Sequence, residues 1–128
     1  MTYREAINLG EKVLNMADVA DAKIDAWLLL EMVCKIDRSF YYLHMEDEVA
    51  EEQLSEYEIA LRKRAEHVPL QYIVGEAEFM GLKFKVNSNV LIPRQDTETL
   101  VEEALKVVKP GMKVLDLCTG SGCIIVSI

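Results

Sequence analysis

The sequence predicts a mainly α N-terminal helical bundle, then a β-hairpin, then the first βα unit of an α/β domain. Three observations predict it. Apolar residues recur at helical spacing through the first 68 positions. A period of two takes over where Leu82, Phe84 and Val86 alternate with Lys83 and Lys85. Finally, the short apolar run of Val114, Leu115 and Leu117 breaks at Thr119-Gly-Ser-Gly122 and resumes as Cys123 to Ile128, which reads as strand, tight loop and helix start.

In chain order, Thr2 and Glu5 form a capping box that starts a first helix, with Ala6, Leu9, Val13 and Met16 as its buried stripe. A second helix is expected from about Ala22 to Lys35. It is apolar on nearly every side, as the central helix of a small bundle would be. Ser39 is placed to cap a short turn through Leu43, and the aromatic run Phe40-Tyr-Tyr42 reads as core. A longer helix is expected over roughly Glu48 to Glu66, burying Ala50, Leu54, Tyr57, Leu61 and Ala65, with Glu58 and Arg62 paired outside. Its acidic start, Glu46 to Glu52, reads as a solvated helix N-terminus, with a patch for a basic partner as the alternative.

After Val68-Pro69 the composition turns to β-branched and aromatic residues, as in Tyr72-Ile-Val74. Met80-Gly81 lies between two strand-like runs and predicts a hairpin turn, Asn87-Ser-Asn89 another turn, and Val90 to Pro93 an extended segment. A further helix begins at Asp96 or Thr97 with Leu100, Val101, Ala104, Leu105 and Val108 inward, and Pro110-Gly111 ends it.

Apolar residues make up 51% of the 128 positions, which suits a chain that buries a core rather than a disordered one. The net charge of −8 is unevenly spread, with −7 of it in Met1 to Val68. An acidic surface is a poor match for a phosphate backbone, so direct nucleic-acid binding by that half is disfavoured. Cys34, Cys118 and Cys123 have no metal-ligand spacing and read as reduced cytosolic thiols. His44 and His67 each sit near a helix end without a ligand set around them. No apolar stretch has the length of a membrane span or the form of a signal sequence.

Asp116 ends the expected strand, and Gly120 and Gly122 let the backbone turn with positive φ and approach a ligand. A dinucleotide fingerprint would need glycine at position 125, which is Ile125, and a P-loop would need a Gly-Lys-Ser/Thr that is missing. An acidic strand end followed by Thr-Gly-Ser-Gly instead suits S-adenosylmethionine. The loop backbone and helix start can meet the cofactor's carboxylate while Asp116 faces its cationic side.

Four motifs in order, Pro69-Leu-Gln-Tyr-Ile-Val-Gly75, Phe79 to Val86, Val90 to Glu98 and Val114 to Gly122, together with Asp25-Ala-Trp-Leu-Leu-Leu30, resemble the HemK/PrmC family of protein-(glutamine-N5) methyltransferases. The resemblance implies a helical substrate-recognition domain over residues 1–68, a β-hairpin linker over 69–93, and the start of a Rossmann-like S-adenosylmethionine-dependent methyltransferase domain over 94–128. It implies a cytoplasmic enzyme whose partner is a peptide chain release factor, methylated on the glutamine of its Gly-Gly-Gln motif. Carried onto this sequence, the cofactor-binding residues are Asp116, Cys118, Thr119, Gly120, Ser121 and Gly122, with Arg94 lining the cleft or, alternatively, a solvated helix-entry residue.

Two departures stand out: Cys118 occupies a position usually held by glycine, and Gln95-Asp96 one often held by Pro-Glu or Pro-Asp. The family's Asn-Pro-Pro-Tyr motif, which binds the substrate amide, and its ribose-binding acid do not occur in these 128 residues, so no catalytic residue is assigned and the chain is expected to be an inactive fragment. Two readings compete with it: a helical protein-interaction module only, and a nucleic-acid amino-methyltransferase with a similar core, which would need a basic surface. A lone strand cannot build a parallel sheet, so beyond about Lys113 the chain is expected to be disordered, repacked on the helices or paired with another chain.

Overall fold

The computed structural model describes all 128 residues, which divide into two compact units, Met1–Val74 and Gly75–Ile128. The first is helical: α1 (Tyr3–Met16), α2 (Ala22–Cys34), α3 (Arg38–His44), α4 (Glu51–Ala65) and the short α5 (Leu70–Val74). The second holds the strands β1 (Glu76–Phe79) and β2 (Leu82–Lys85), then α6 (Thr97–Leu105) and α7 (Cys123–Ser127).

In the first unit α1, α2 and α4 pack on one another around Ala6, Leu14, Ala26, Leu29, Leu30, Tyr57 and Leu61, and α5 closes against α2 and α4. The capping box forms as expected, with the Glu5 amide donating to Thr2 Oγ1 at 3.2 Å and the Thr2 amide to Glu5 Oε2 at 2.9 Å. Such a cap contributes about 1 kcal/mol. The segment before α1 is stitched to the one before α4 by the Thr2–Glu48 bridge and by the Tyr3 amide donating to the Asp47 carbonyl at 3.1 Å.

Several local expectations are corrected. The buried line of α1 runs through Tyr3, Ala6, Gly10 and Leu14, and Met16 is exposed, because the closest helix contact falls on the glycine rather than on a large apolar residue. Asp37, not Ser39, caps α3, accepting from the Phe40 amide at 2.7 Å. Nothing in α3 is buried: Tyr42 belongs to the surface, Phe40 is exposed with its ring against Tyr3 at 5.8 Å, and Tyr41 packs partly against the core. Ala50 is the exposed N-cap of α4. Tyr72 to Val74 is helical, with Ile73 and Val74 turned onto the helical core, so their β-branched character yields to packing.

In the second unit β1 and β2 pair antiparallel in the register Glu76–Lys85, Ala77–Phe84, Glu78–Lys83 and Phe79–Leu82. Opposite charges therefore face each other across the ladder. Met80 and Gly81 both take positive φ, 51° and 73°, as a two-residue type I′ turn requires. The core is Phe79 and Phe84 from the hairpin, Val101 from α6 and Cys123 from α7. Glu98 of α6 accepts from the Met80 amide at 3.0 Å, tying the helix to the hairpin turn.

α6 stops at Leu105, before Pro110-Gly111, and only Val101 of its expected face is buried, while Leu100 and Leu105 are exposed. The strand expected at Val114–Leu117 does not form. The single sheet is the β1–β2 hairpin, so no neighbour offers that segment its ladder bonds, and its amides and carbonyls stay in water, with Leu115 81% exposed. The chain beyond it does repack: α7 lies against α6, with Cys123 in the hairpin core.

Candidate functional site

The loop from Asp116 to Gly122 carries its own order without the strand. Thr119 Oγ1 donates to Asp116 Oδ2 at 2.9 Å, and the Gly122 amide donates to the Thr119 carbonyl at 3.0 Å. The first bond holds the carboxylate across the loop; the second closes the turn that leads into α7. Gly120 and Gly122 have φ of 58° and 81°. A Cβ on Gly120 would meet nothing within 4 Å, so the requirement for glycine there is conformational, and the space beside it is open.

Cys118 shares this geometry, with φ 58°, and is exposed. For a residue with a side chain the left-handed region costs about 1–2 kcal/mol. The signal in the sequence for this backbone is that Cys118 stands where the resemblance places glycine. Asp116 and Ser121 are half-buried, and Thr119 is exposed. Together Asp116, Cys118, Thr119, Gly120, Ser121 and Gly122 offer a carboxylate, two hydroxyls and a glycine-bracketed backbone, the donor and acceptor set that an amino-acid end with its ammonium and carboxylate would need. Arg94 is exposed, and no hydrogen bond or ion pair joins its side chain to this loop.

The helical unit has one charged group inside it. Asp25 on α2 is 5% exposed, and Arg64 of α4 meets it, Nε to Oδ2 at 2.8 Å. Arg64 Nη1 also donates to the Val68 carbonyl at 3.2 Å, so one guanidinium joins α2 to the chain leaving α4. Sequence reasoning placed Asp25 in a motif but missed Arg64. Asp25 stands beside the apolar run Ala26 to Leu30, and a carboxylate buried there needs a cation to reach it.

Burial pushes the Tyr57 hydroxyl far above the usual tyrosine range, with Cys34 adding to the shift. The Cys34 thiol is itself raised by burial and then by Glu56. Such groups are buried in their neutral forms, as structural rather than reactive residues. His44 is held by Asp47, Nδ1 to Oδ2 at 2.7 Å, and stacks on Phe40. No group of His, Cys, Asp and Glu side chains could hold a metal ion, and no helix is long and apolar enough to cross a membrane.

Residues 5–75 match the family model of the PrmC N-terminal domain. The whole chain aligns with a Clostridium acetobutylicum protein named release factor glutamine methyltransferase at 44% identity, and with one of that name from Clostridium botulinum at 38%, covering 46% of each. A Geobacter sulfurreducens protein of that name is 38% identical over 99% of the chain and 45% of its own length. The chain thus spans slightly less than half the length of the curated relatives it matches.

Proposed function

This chain belongs to the PrmC N-terminal domain family, and on that premise we propose that it supplies the recognition domain and the first cofactor-binding turn of a protein-(glutamine-N5) methyltransferase. The reaction passes a methyl group from S-adenosylmethionine to the glutamine of the Gly-Gly-Gln motif in a peptide chain release factor. The alignment of all of the chain at 44% identity with a relative of that name carries the reading.

Residues 1–68 form the substrate-recognising domain, 69–93 the hairpin linker and 94–128 the opening of a Rossmann-like methyltransferase domain in this reading. Asp116 faces the ammonium of the cofactor's amino-acid end. The backbone of Cys118 to Gly122, with the Thr119 and Ser121 hydroxyls, meets its carboxylate, and Arg94 lines the cleft. The open space beside Gly120 and the Asp116–Thr119 bond support that assignment. S-adenosylmethionine supplies an electrophilic methyl group when bound.

The chain's own residues hold and orient. Methyl transfer to an amide nitrogen needs in-line alignment rather than a covalent enzyme intermediate, and alignment is a matter of positioning. The amide-binding Asn-Pro-Pro-Tyr is not among these 128 residues, so what they contribute in this reading is cofactor contact and substrate recognition. The enzyme works in the cytoplasm, and the acidic helical unit keeps nucleic acid from being its direct ligand.

A second reading, a protein-interaction module only, draws on the absence of the strand at Val114–Leu117. Calorimetric titration of the chain with S-adenosylmethionine and, separately, with a release factor separates the two. Heat of binding in both titrations supports the methyltransferase reading, binding of the release factor alone favours the interaction module, and neither overturns both.

A further inference from the structure

The surface between α1, α2 and α3 holds an open groove of about 360 Å³ whose lining combines aromatic, aliphatic and cationic side chains. At its base lies Trp27, only 5% exposed, packed edge-to-face with Tyr41 at 5.4 Å between centroids. Ile24 and Tyr42 stand at its walls, both well exposed, Tyr42 at 61%. Trp, Tyr and Arg are the residues enriched at the energetic centres of protein interfaces. Here all three meet in one concavity.

The charge of the groove runs against that of its surroundings. Met1–Val74 carries a net −7, yet the lining holds Lys23 and Arg38 against Glu11 alone. Arg38 makes no ion pair within the chain; its guanidinium lies over the Trp27 ring at 4.3 Å. A guanidinium stacked by its face keeps its N–H edge free for a carboxylate. Fields beyond about 8 Å are screened at physiological salt, so a short ligand responds to the charges of the lining, Lys23 and Arg38 with Glu11, more than to the acidic surface beyond them. A polyanion spans many screening lengths and meets that surface.

We propose that this groove docks a segment of a protein partner that presents an apolar side chain beside a carboxylate, the apolar group on the exposed Ile24 and Tyr42 and the carboxylate on Arg38 and Lys23. The proposal deepens the reading of the helical unit as a recognition domain. Its test uses neither cofactor nor release factor, so that loss of methyl transfer and loss of peptide binding are separate results.

Trp27 is the single tryptophan of the chain, so its fluorescence reports on the groove directly. The chain is titrated with a capped pentapeptide holding leucine between two glutamates, and with versions carrying lysines for the glutamates or alanine for the leucine. The expected result is a saturable change with the first peptide. Either replacement should weaken binding at least fivefold, as should Arg38→Gln, with Tyr42→Ala as a second exposed-site variant if the first does not fold. Equal responses to all three peptides, or none into the millimolar range, overturn the proposal. So do a stronger response to oligothymidylate and a fluorescence change with chain concentration alone, which would assign the groove to nucleic acid or to a second copy.

Discussion

Tyr57 of α4 fills the space that a side chain on Gly10 of α1 would need. A Cβ there would overlap the Tyr57 hydroxyl and lie 3.1 Å from both Tyr57 Cζ and Ala26 Cβ, while that hydroxyl donates to the Ala26 carbonyl at 3.1 Å. Three helices therefore meet at one small residue. Gly10→Ala is expected to destabilise the chain by about 1–3 kcal/mol through overpacking, although alanine is the better helix former. Tyr57→Phe removes one buried hydrogen bond, about 1 kcal/mol, and also makes room. The double variant should therefore lose less than the sum of the two, as read from urea midpoints at unchanged slope.

Arg64→Ala leaves Asp25 buried without its cation, and the expected cost is about 3 kcal/mol, the lower end for a broken buried pair because Arg64 retains some solvent contact. Asp25→Asn with Arg64→Gln should recover part of that loss. Urea unfolding of the unaltered chain, Asp25→Asn, Arg64→Gln and the double variant gives the coupling; equal stability of Arg64→Ala and the unaltered chain would contradict a stabilising role for the pair.

Alkaline pH should weaken the helical unit. The Tyr57 and Cys34 values are raised on folding, so their contribution is fully present below the unfolded values and is lost as pH rises through the folded ones. Stability should hold steady through neutral pH and fall from about pH 9 upward, where unfolded thiols and then phenols ionise. Tyr57→Phe should flatten the part of the fall above about pH 10. Thermal melts across that range measure it.

These relationships show what was legible in the sequence. The capping box, the apolar α2, the hairpin at Met80-Gly81 and the turn at Asn87-Ser-Asn89, where the Val90 amide donates to the Asn87 carbonyl at 3.1 Å, all rest on contacts between near neighbours and could be read directly. The register of α1 could not, because its tightest contact is a glycine, and a missing side chain leaves no mark in a hydrophobic pattern. Arg64 and Asp25 stand 39 positions apart, and no local rule pairs them. At Val114–Leu117 the apolar run reads as strand-forming, but no strand forms, because a parallel strand exists only beside another and the chain's one sheet is the hairpin. In the candidate loop the positive φ of Gly120 and Gly122 followed from residue type, whereas that of Cys118 did not.

Cofactor binding should depend on Asp116 if the loop holds the amino-acid end of S-adenosylmethionine. Asp116→Asn removes a charge-assisted contact worth about 1.5–3 kcal/mol, so affinity should drop about tenfold or more, with the fold intact by circular dichroism. Cys118→Gly should leave affinity equal or improved, since it relieves the left-handed backbone. Calorimetry on both variants distinguishes these effects.

The most direct test of the account is methyl transfer itself. The protein at the length of its curated relatives, incubated with S-adenosylmethionine and a release factor, is followed by mass spectrometry of the peptide containing the Gly-Gly-Gln motif. One methyl group on the glutamine side chain, absent when the 128-residue chain is used alone, is the predicted result. A release factor left unmodified by the longer protein, under conditions where both ligands bind, would contradict it.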